Sequence, residues 1–196
     1  MEEQFQDLFR ITHHTNRVEA GKLLIAEPFM QGGCFARSVV YLVEHNAKGS
    51  VGLVLNKPLG YTTSALVQEL EGMNIPVYMG GPVEQNQLYY IHSRPDIAEA
   101  SRLNGGVYWG GDFKQLSHLL RAGEMRVDEI RFFVGYSGWS TGQLRQELKE
   151  GSWMVGEMEK ELLFSLPNEG LWESSTRRLG GKYRLWANFP PNPVLN

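Results

Sequence analysis

Two nearly unbroken apolar runs, Arg37–Glu44 and Ser50–Asn56, flank the polar segment His45-Asn46-Ala47-Lys48-Gly49 and constrain this chain more than any other feature. Both runs are rich in β-branched residues, and neither alternates apolar with polar. That is the signature of strands covered on both faces. The segment between them carries turn residues, so the pair predicts a β-hairpin, with Pro58 stopping its second strand. A turn centred near Ala47 sets Ser38 across from Asn56 and Arg37 across from Lys57. A hairpin covered on both sides needs a core to surround it. With 196 residues, 42% of them hydrophobic, the chain has enough for one domain over residues 1–196. A charged fraction of 21% and 11% aromatics exclude a disordered, collagen-like or coiled-coil chain.

The flanking sequence fills in the rest. Phe5, Leu8 and Phe9 share helical spacing within Glu2–Ile11, which predicts a short helix in an N-terminal extension, residues 1–21. A strand follows at Lys22–Ala26, ended by Pro28. Ser64–Leu70 reads as a short helix. Strands are expected at Pro76–Met79, Gln87–His92, Gly106–Trp109 and Glu129–Gly135. Asp112-Phe-Lys-Gln115 is a capping-box signal for a helix burying Phe113, Leu116, Leu119 and Leu120, which Gly123 ends. Ser140-Thr-Gly-Gln143 repeats the pattern and opens a helix through Lys149. Trp153–Val155 reads as a strand, Lys160–Phe164 and Leu171–Leu179 as short helices. The tail from Asn188 is too rich in proline for either. Strands outnumber helices, connections are short and no regular βαβ alternation occurs, so the class is α+β.

Charge and cysteine content narrow the setting. The 19 Lys+Arg against 22 Asp+Glu give a net charge of −3, with no whole-molecule attraction to nucleic acid or anionic membrane. Cys34 stands alone, so no intrachain disulfide forms, and a reducing cytoplasmic setting is expected. No secretory signal opens the chain, and the apolar runs fall short of the ~20 residues that span a bilayer. No membrane partner is expected.

Several polar groups could carry chemistry. Neither Gly-Lys pair has P-loop spacing, and no Gly-x-Gly-x-x-Gly follows a strand. Gly135-Tyr-Ser-Gly-Trp139 resembles a nucleophile elbow, but bulky Trp139 stands where the motif needs its second glycine. The same stretch reads better as an anion cradle at a helix start, formed by Tyr136, Ser137, Gly138, Trp139 and Gln143. It also reads as a tight turn with Trp139 packed as a lid. Glu44, Ser38 and His45 evoke a hydrolase triad, yet seven extended residues put Ser38 ~23 Å from His45. Arg37, Ser38 and Asn56 suit hydrogen bonding to an anion, or the satisfaction of backbone groups at a sheet edge. Glu44, His45 and Asn46 occupy the hairpin tip. They and His92 could meet a partner, or simply bond their neighbours. Ser137 or His92 would serve a hydrolase or group-transfer enzyme, given an acid or base within reach. Arg177, Arg178, Lys182 and Arg184, beside Tyr183 and Trp186, could contact a single-stranded nucleic acid or form a solvated face. The histidines and Cys34 lack metal-ligand spacing, so no metal or other cofactor is expected.

A family resemblance runs through these motifs. Lys22-Leu-Leu-Ile-Ala-Glu-Pro28, Phe35-Ala-Arg-Ser-Val-Val-Tyr-Leu-Val-Glu-His-Asn46, Gly52-Leu-Val-Leu-Asn-Lys-Pro58, Gly80-Gly-Pro-Val83, Phe133-Val-Gly-Tyr-Ser-Gly-Trp139, Gln143-Leu-Arg-Gln-Glu-Leu148 and the close Pro190-x-Asn-Pro-x-x-Asn196 resemble the bacterial AlgH/YqgE family. The resemblance covers almost everything after Gly21. It implies an α+β fold with a bent, barrel-like mixed β-sheet surrounded by short helices, and it carries a transcriptional-regulator label without a known reaction. No helix-turn-helix supports that label here. Where the family has Asp-Pro ahead of its Phe, this chain reads Gly32-Gly33-Cys34-Phe35, so Cys34 inherits no role. The combined expectation is a binding or regulatory module. Arg37/Ser38/Asn56 and Tyr136–Gln143 would border one site for a small anionic or nucleotide-like ligand.

Overall fold

A computed structural model describes residues 17–30, 33–157, 160–164 and 170–190. The helix expected over Glu2–Ile11, Gly32 of the family departure, and the tail from residue 191 lie outside the described residues. In chain order the elements are β1 (Leu23–Ala26), β2 (Val39–Asn46), β3 (Gly49–Val54), β4 (Pro58–Thr62), β5 (Pro76–Met79), β6 (Val83–His92), β7 (Ser101–Arg102), β8 (Tyr108–Trp109), α1 (Phe113–Arg121), β9 (Ile130–Ser140), α2 (Gln143–Lys149), β10 (Trp153–Gly156), α3 (Lys160–Phe164) and α4 (Leu171–Leu179). Short 3₁₀ turns join several of them, and a longer one covers Gly181–Asn188.

The sheet runs β10-β1-β2-β3-β9-β6-β8-β7, and its two end strands do not meet, so it is bent and open rather than a closed barrel. Most neighbours are antiparallel. The exception is β5, which lies parallel to the first half of β9 and carries β4 on its other side. The second half of β9 turns away from β5 to pair with β3, Ser137 opposite Gly52 and Ser140 opposite Gly49. The bend falls at Gly135, whose φ is +67°. A Cβ there would sit 2.7 Å from the carbonyl oxygens of Gly81 and Val83, and one on Gly81 would sit 2.3 Å from that of Tyr136. Two backbones cross at a distance that leaves no room for side chains.

This crossing corrects the strand end expected at Gly135 and the helix opening expected at Ser140. The chain stays a strand through Ser140, and α2 starts only at Gln143. A second correction concerns Ser64–Leu70, which forms two 3₁₀ turns rather than one helix. Thr63 Oγ1 donates to the Met73 carbonyl (2.8 Å), and Ser64 Oγ accepts from the Gly72 N–H (2.9 Å). Such side-chain bonds compete with the helical ladder. Ahead of them, β4 holds a proline and a glycine within five residues, which hides it from a strand pattern.

The hairpin forms, and both its faces are covered. Val39, Tyr41 and Val43 enter the apolar layer beneath α3 and α4, while Val40 and Leu42 enter the layer beneath α2. Its register holds a compensation. Asn46 pairs with Gly49 and His45 with Ser50, yet Leu42 pairs with Gly52 and Val40 with Val54, the shift falling between Leu42 and Glu44. The turn is therefore half a residue off Ala47, and a bulge at Val43 restores the pairing expected at the far end. A third apolar layer lies between α1 and the strands β5, β6 and β9. Among the described residues no helix is long and apolar enough to cross a membrane.

Candidate functional site

The tip of the β2–β3 hairpin and the start of α2 enclose a cleft of about 390 Å³. His45, Asn46 and Ser50 line it from the hairpin, Ser140 and Thr141 from the end of β9, and Leu144, Arg145, Leu148 and Lys149 from α2. The strands bring these segments together because Gly49 and Ser50 pair with Ser140 and Trp139. Thr141 Oγ1 then fastens the corner, donating between the carbonyls of Lys48 (3.0 Å) and Ala47 (3.2 Å). Across the hairpin, His45 Nδ1 lies 2.7 Å from Ser50 Oγ. The Asn46 side chain accepts from the Lys48 N–H at 2.8 Å and shapes the turn.

The helix gives this cleft its chemistry. On α2, residues four apart stack on one face, so Leu144 and Leu148 form an apolar stripe and Arg145 and Lys149 a cationic one beside it. The carboxylates of the helix are engaged elsewhere. Glu147 Oε2 accepts from the indole nitrogens of Trp139 (2.8 Å) and Trp153 (2.7 Å), and Glu150 accepts from Gln146 at 2.7 Å. Arg145 and Lys149, by contrast, are exposed and make no ion pair or hydrogen bond among the described residues. Glu44 pairs with Val51 and, one residue from His45, projects to the opposite face of the sheet. Among the described residues the cleft thus carries uncompensated positive charge. Sequence reasoning passed over Ser50, Arg145 and Lys149, although the spacing Leu144/Leu148 beside Arg145/Lys149 was the available signal.

The structure does not bring Arg37/Ser38/Asn56 and Tyr136–Gln143 together around one cavity. Asn56 lies four residues beyond Gly52, the partner of Ser137, and seven beyond Gly49, the partner of Ser140, which amounts to ~13 Å and ~23 Å of extended strand. Asn56 is spent on backbone, accepting from the Val39 N–H (3.0 Å) and donating to the Arg37 carbonyl (2.9 Å). Arg37, in a left-handed conformation with φ +50°, lays its guanidinium 4.6 Å from the centre of the Trp172 ring. It also pairs with Glu173 at 3.6 Å and donates to the Phe189 carbonyl. Ser38 is fully buried, its hydroxyl unpartnered among the described residues. Nearby, Lys57 Nζ donates to the Ala36 carbonyl at 2.8 Å, and burial pulls its ammonium below the usual lysine range. Burial pushes the Cys34 thiol upward, away from the reactive thiolate.

The remaining candidates fall in different places. Trp139 is buried against Phe35 and Trp153, the packed lid of the alternative reading. Tyr136 is half-buried, edge-on to Tyr89, and Gly138 is exposed opposite Val51. The side chain of Gln143 folds back to accept from the Ser140 N–H at 3.0 Å, so that donor is taken. Ser137 is fully buried and donates to the Gly80 carbonyl at 3.0 Å. His92 is also sealed in: its Nε2 meets the Gly110 carbonyl at 2.9 Å, and its Nδ1 accepts from the Arg94 N–H at 3.2 Å. Neither residue reaches solvent, and the polar atoms of both are bonded to backbone rather than aimed into the cleft. Arg177, Arg178 and Arg184 are exposed, but Lys182 is half-buried over the Tyr183 ring, and Tyr183 is packed in the core. That ring is closed to base stacking.

One charged residue was missed altogether. Arg131 is 1% exposed, donates to the carbonyls of Leu55 (2.7 Å) and Leu163 (3.0 Å), and lies 4.2 Å from the Tyr78 ring centre. Burial pushes its guanidinium down to about 10. A single arginine inside the apolar run Ile130–Val134 was its sequence signal. It faces core rather than cleft.

Known proteins resemble the chain over nearly its whole length. A UPF0301 protein of Parabacteroides distasonis is 40% identical over 195 residues, covering 98% of both chains. A UPF0301 protein of Chlorobium phaeobacteroides is 42% identical over 181 residues, covering 92% of this chain and 97% of the relative. Among solved structures, the AlgH protein of Pseudomonas aeruginosa superposes with a TM-score of 0.70 at 28% identity, covering 92% of this chain and 98% of that one. A Corynebacterium diphtheriae protein of 23% identity shares the fold with a TM-score of 0.73, over 89% of this chain and 94% of its own. The sequence pattern of the AlgH-like family matches residues 23–184, spanning every strand and helix described above, and the chain belongs to that family.

Proposed function

We propose that the protein is a binding module for a small anionic ligand held in the cleft between the hairpin tip and α2. The observation that carries this reading is the pair Arg145 and Lys149, two cations without a counter-charge among the described residues on the wall of a cleft that no carboxylate of α2 faces. An exposed cation normally finds a neighbouring acid or open water. Here two share a concavity whose other polar side chains are hydroxyls, an imidazole and the Asn46 carboxamide, which suits carboxylate or phosphate. The apolar stripe of Leu144 and Leu148, with Val18 opposite, would take a short carbon skeleton. At about 390 Å³ the cleft falls at the small end of ligand sites, which favours a compact metabolite over a dinucleotide.

Calorimetric titration of the full chain with inorganic phosphate and with succinate tests the reading. Binding of either anion should weaken at least roughly tenfold in Arg145→Glu or Lys149→Glu, and weaken as salt is raised. Arg37→Ala, at the other end of the hairpin, should leave it unchanged. Affinity that follows Arg37 and ignores Arg145 would refute the assignment.

A further inference from the structure

The same cleft holds a hydroxyl and an imidazole in the relation a nucleophile has to its base. His45 and Ser50 are cross-strand partners, and Nδ1 and Oγ lie 2.7 Å apart, within the range for direct proton transfer. Ser50 is almost buried yet lines the cleft, whereas His45 is exposed on its rim. The other buried serines with a described partner bond to carbonyls: Ser137 to Gly80 and Ser117 to Lys114. Ser50 alone among the described serines has its hydroxyl against a group able to remove its proton. Thr141, the neighbouring alcohol, is held by two carbonyls and is not free to act.

We propose that Ser50 is an acyl acceptor activated by His45, acting on small esters or thioesters that carry a carboxylate or phosphate. This rests on the anion-binding reading, since Arg145 and Lys149 would hold the substrate's charge while its carbonyl meets Ser50. In the forward step, Ser50 Oγ bonds to the carbonyl carbon and gives its proton to His45 Nδ1. The bond from that carbon to the leaving oxygen or sulfur breaks, and the leaving group takes the proton from His45. Water then attacks the acyl-serine with His45 again as base, which releases the acid and returns the hydroxyl.

The test treats the full chain with 4-nitrophenyl hydrogen succinate and, separately, with neutral 4-nitrophenyl acetate, and reads intact and peptide masses. One acyl group is expected on Ser50 with both reagents. His45→Gln, at an exposed position that leaves the core alone, should slow its formation roughly 10²-fold, and Ser50→Ala should abolish it. Acylation confined to lysines, no acylation together with no release of 4-nitrophenol above the Ser50→Ala background, or acylation of Ser50 at the same rate in His45→Gln overturns the proposal. Arg145→Glu separates the two readings, because it should slow the succinyl reagent and spare the acetyl one. Equal rates for the two reagents in that variant, with Ser50 still labelled, would leave the chemistry standing and remove the anion-binding role.

Discussion

Arg131 takes a full charge into an apolar layer where, among the described residues, it meets the carbonyls of Leu55 and Leu163 and the rings of Tyr78 and Phe133 but no carboxylate. Desolvation opposes such a charge, which is why its guanidinium is held down to about 10. The side chain therefore contributes through volume and two hydrogen bonds, while its charge works against folding. Arg131→Ala removes the volume and the bonds and should lose about 3–5 kcal/mol in urea denaturation. Arg131→Met keeps most of the volume and relieves the charge, so its loss should be roughly half as large. His92 shows the same physics with a titration in reach. Burial lowers its folded pKa below the ordinary value near 6.5, so the neutral ring is the folded form. The unfolded chain binds a proton as pH falls through about 6.5 and the folded chain does not. The stability involved is complete above that pH and drains away toward the depressed folded value. Melting temperature should fall as pH drops from about 7 to 5, and His92→Gln should flatten that part of the profile.

At the scale of elements, helix ends follow local rules, and the strands depend on what lies beside them. Asp112 accepts from the Lys114 (2.8 Å) and Gln115 (3.1 Å) N–H groups, so Asp112→Ala should cost about 1 kcal/mol, read as a shift in denaturation midpoint. That cap was legible, although Gln115 turns away from the expected box to bind the backbone at Asp96 and Ala98. The hairpin was legible because its burial on two faces is written in composition. Its bulge at Val43 was not, since a bulge answers to the twist of the finished sheet rather than to any residue type. Continuation of β9 past Gly135 was hidden for a related reason. A glycine at positive φ reads as the end of a strand, and only the crossing with Gly80–Gly81 shows that the strand bends and goes on. The candidate site suffered most. Its cations sit on α2 and its hydroxyl on β3, and their meeting depends on a pairing between β3 and β9 that links residues nearly ninety positions apart.

Across the whole molecule, the two ends of one hairpin do different work. The tip faces the cleft, and the other end is a clasp in which Arg37 joins the segment before β2 to α4 and the turn after it. That clasp spans the longest sequence separations among the described side-chain contacts of Arg37: Trp172, Glu173 and the Phe189 carbonyl. The left-handed backbone at Arg37 shows that the guanidinium is aimed by its surroundings, because an arginine gains nothing locally from that conformation. A clasp and a ligand site make opposite predictions for the same substitution. If Arg37 holds the C-terminal elements, Arg37→Ala should raise amide hydrogen exchange across residues 171–190, with little change at the hairpin tip or in α2. Its counterpart Glu173→Gln should reproduce part of the effect, since it keeps the shape and removes only the charge. Exchange that rises at Ser140–Lys149 instead would mean that the two ends are mechanically joined through β2 and β3. The cleft would then respond to the packing of the C-terminal helix, and anion affinity in Arg37→Ala would shift with it.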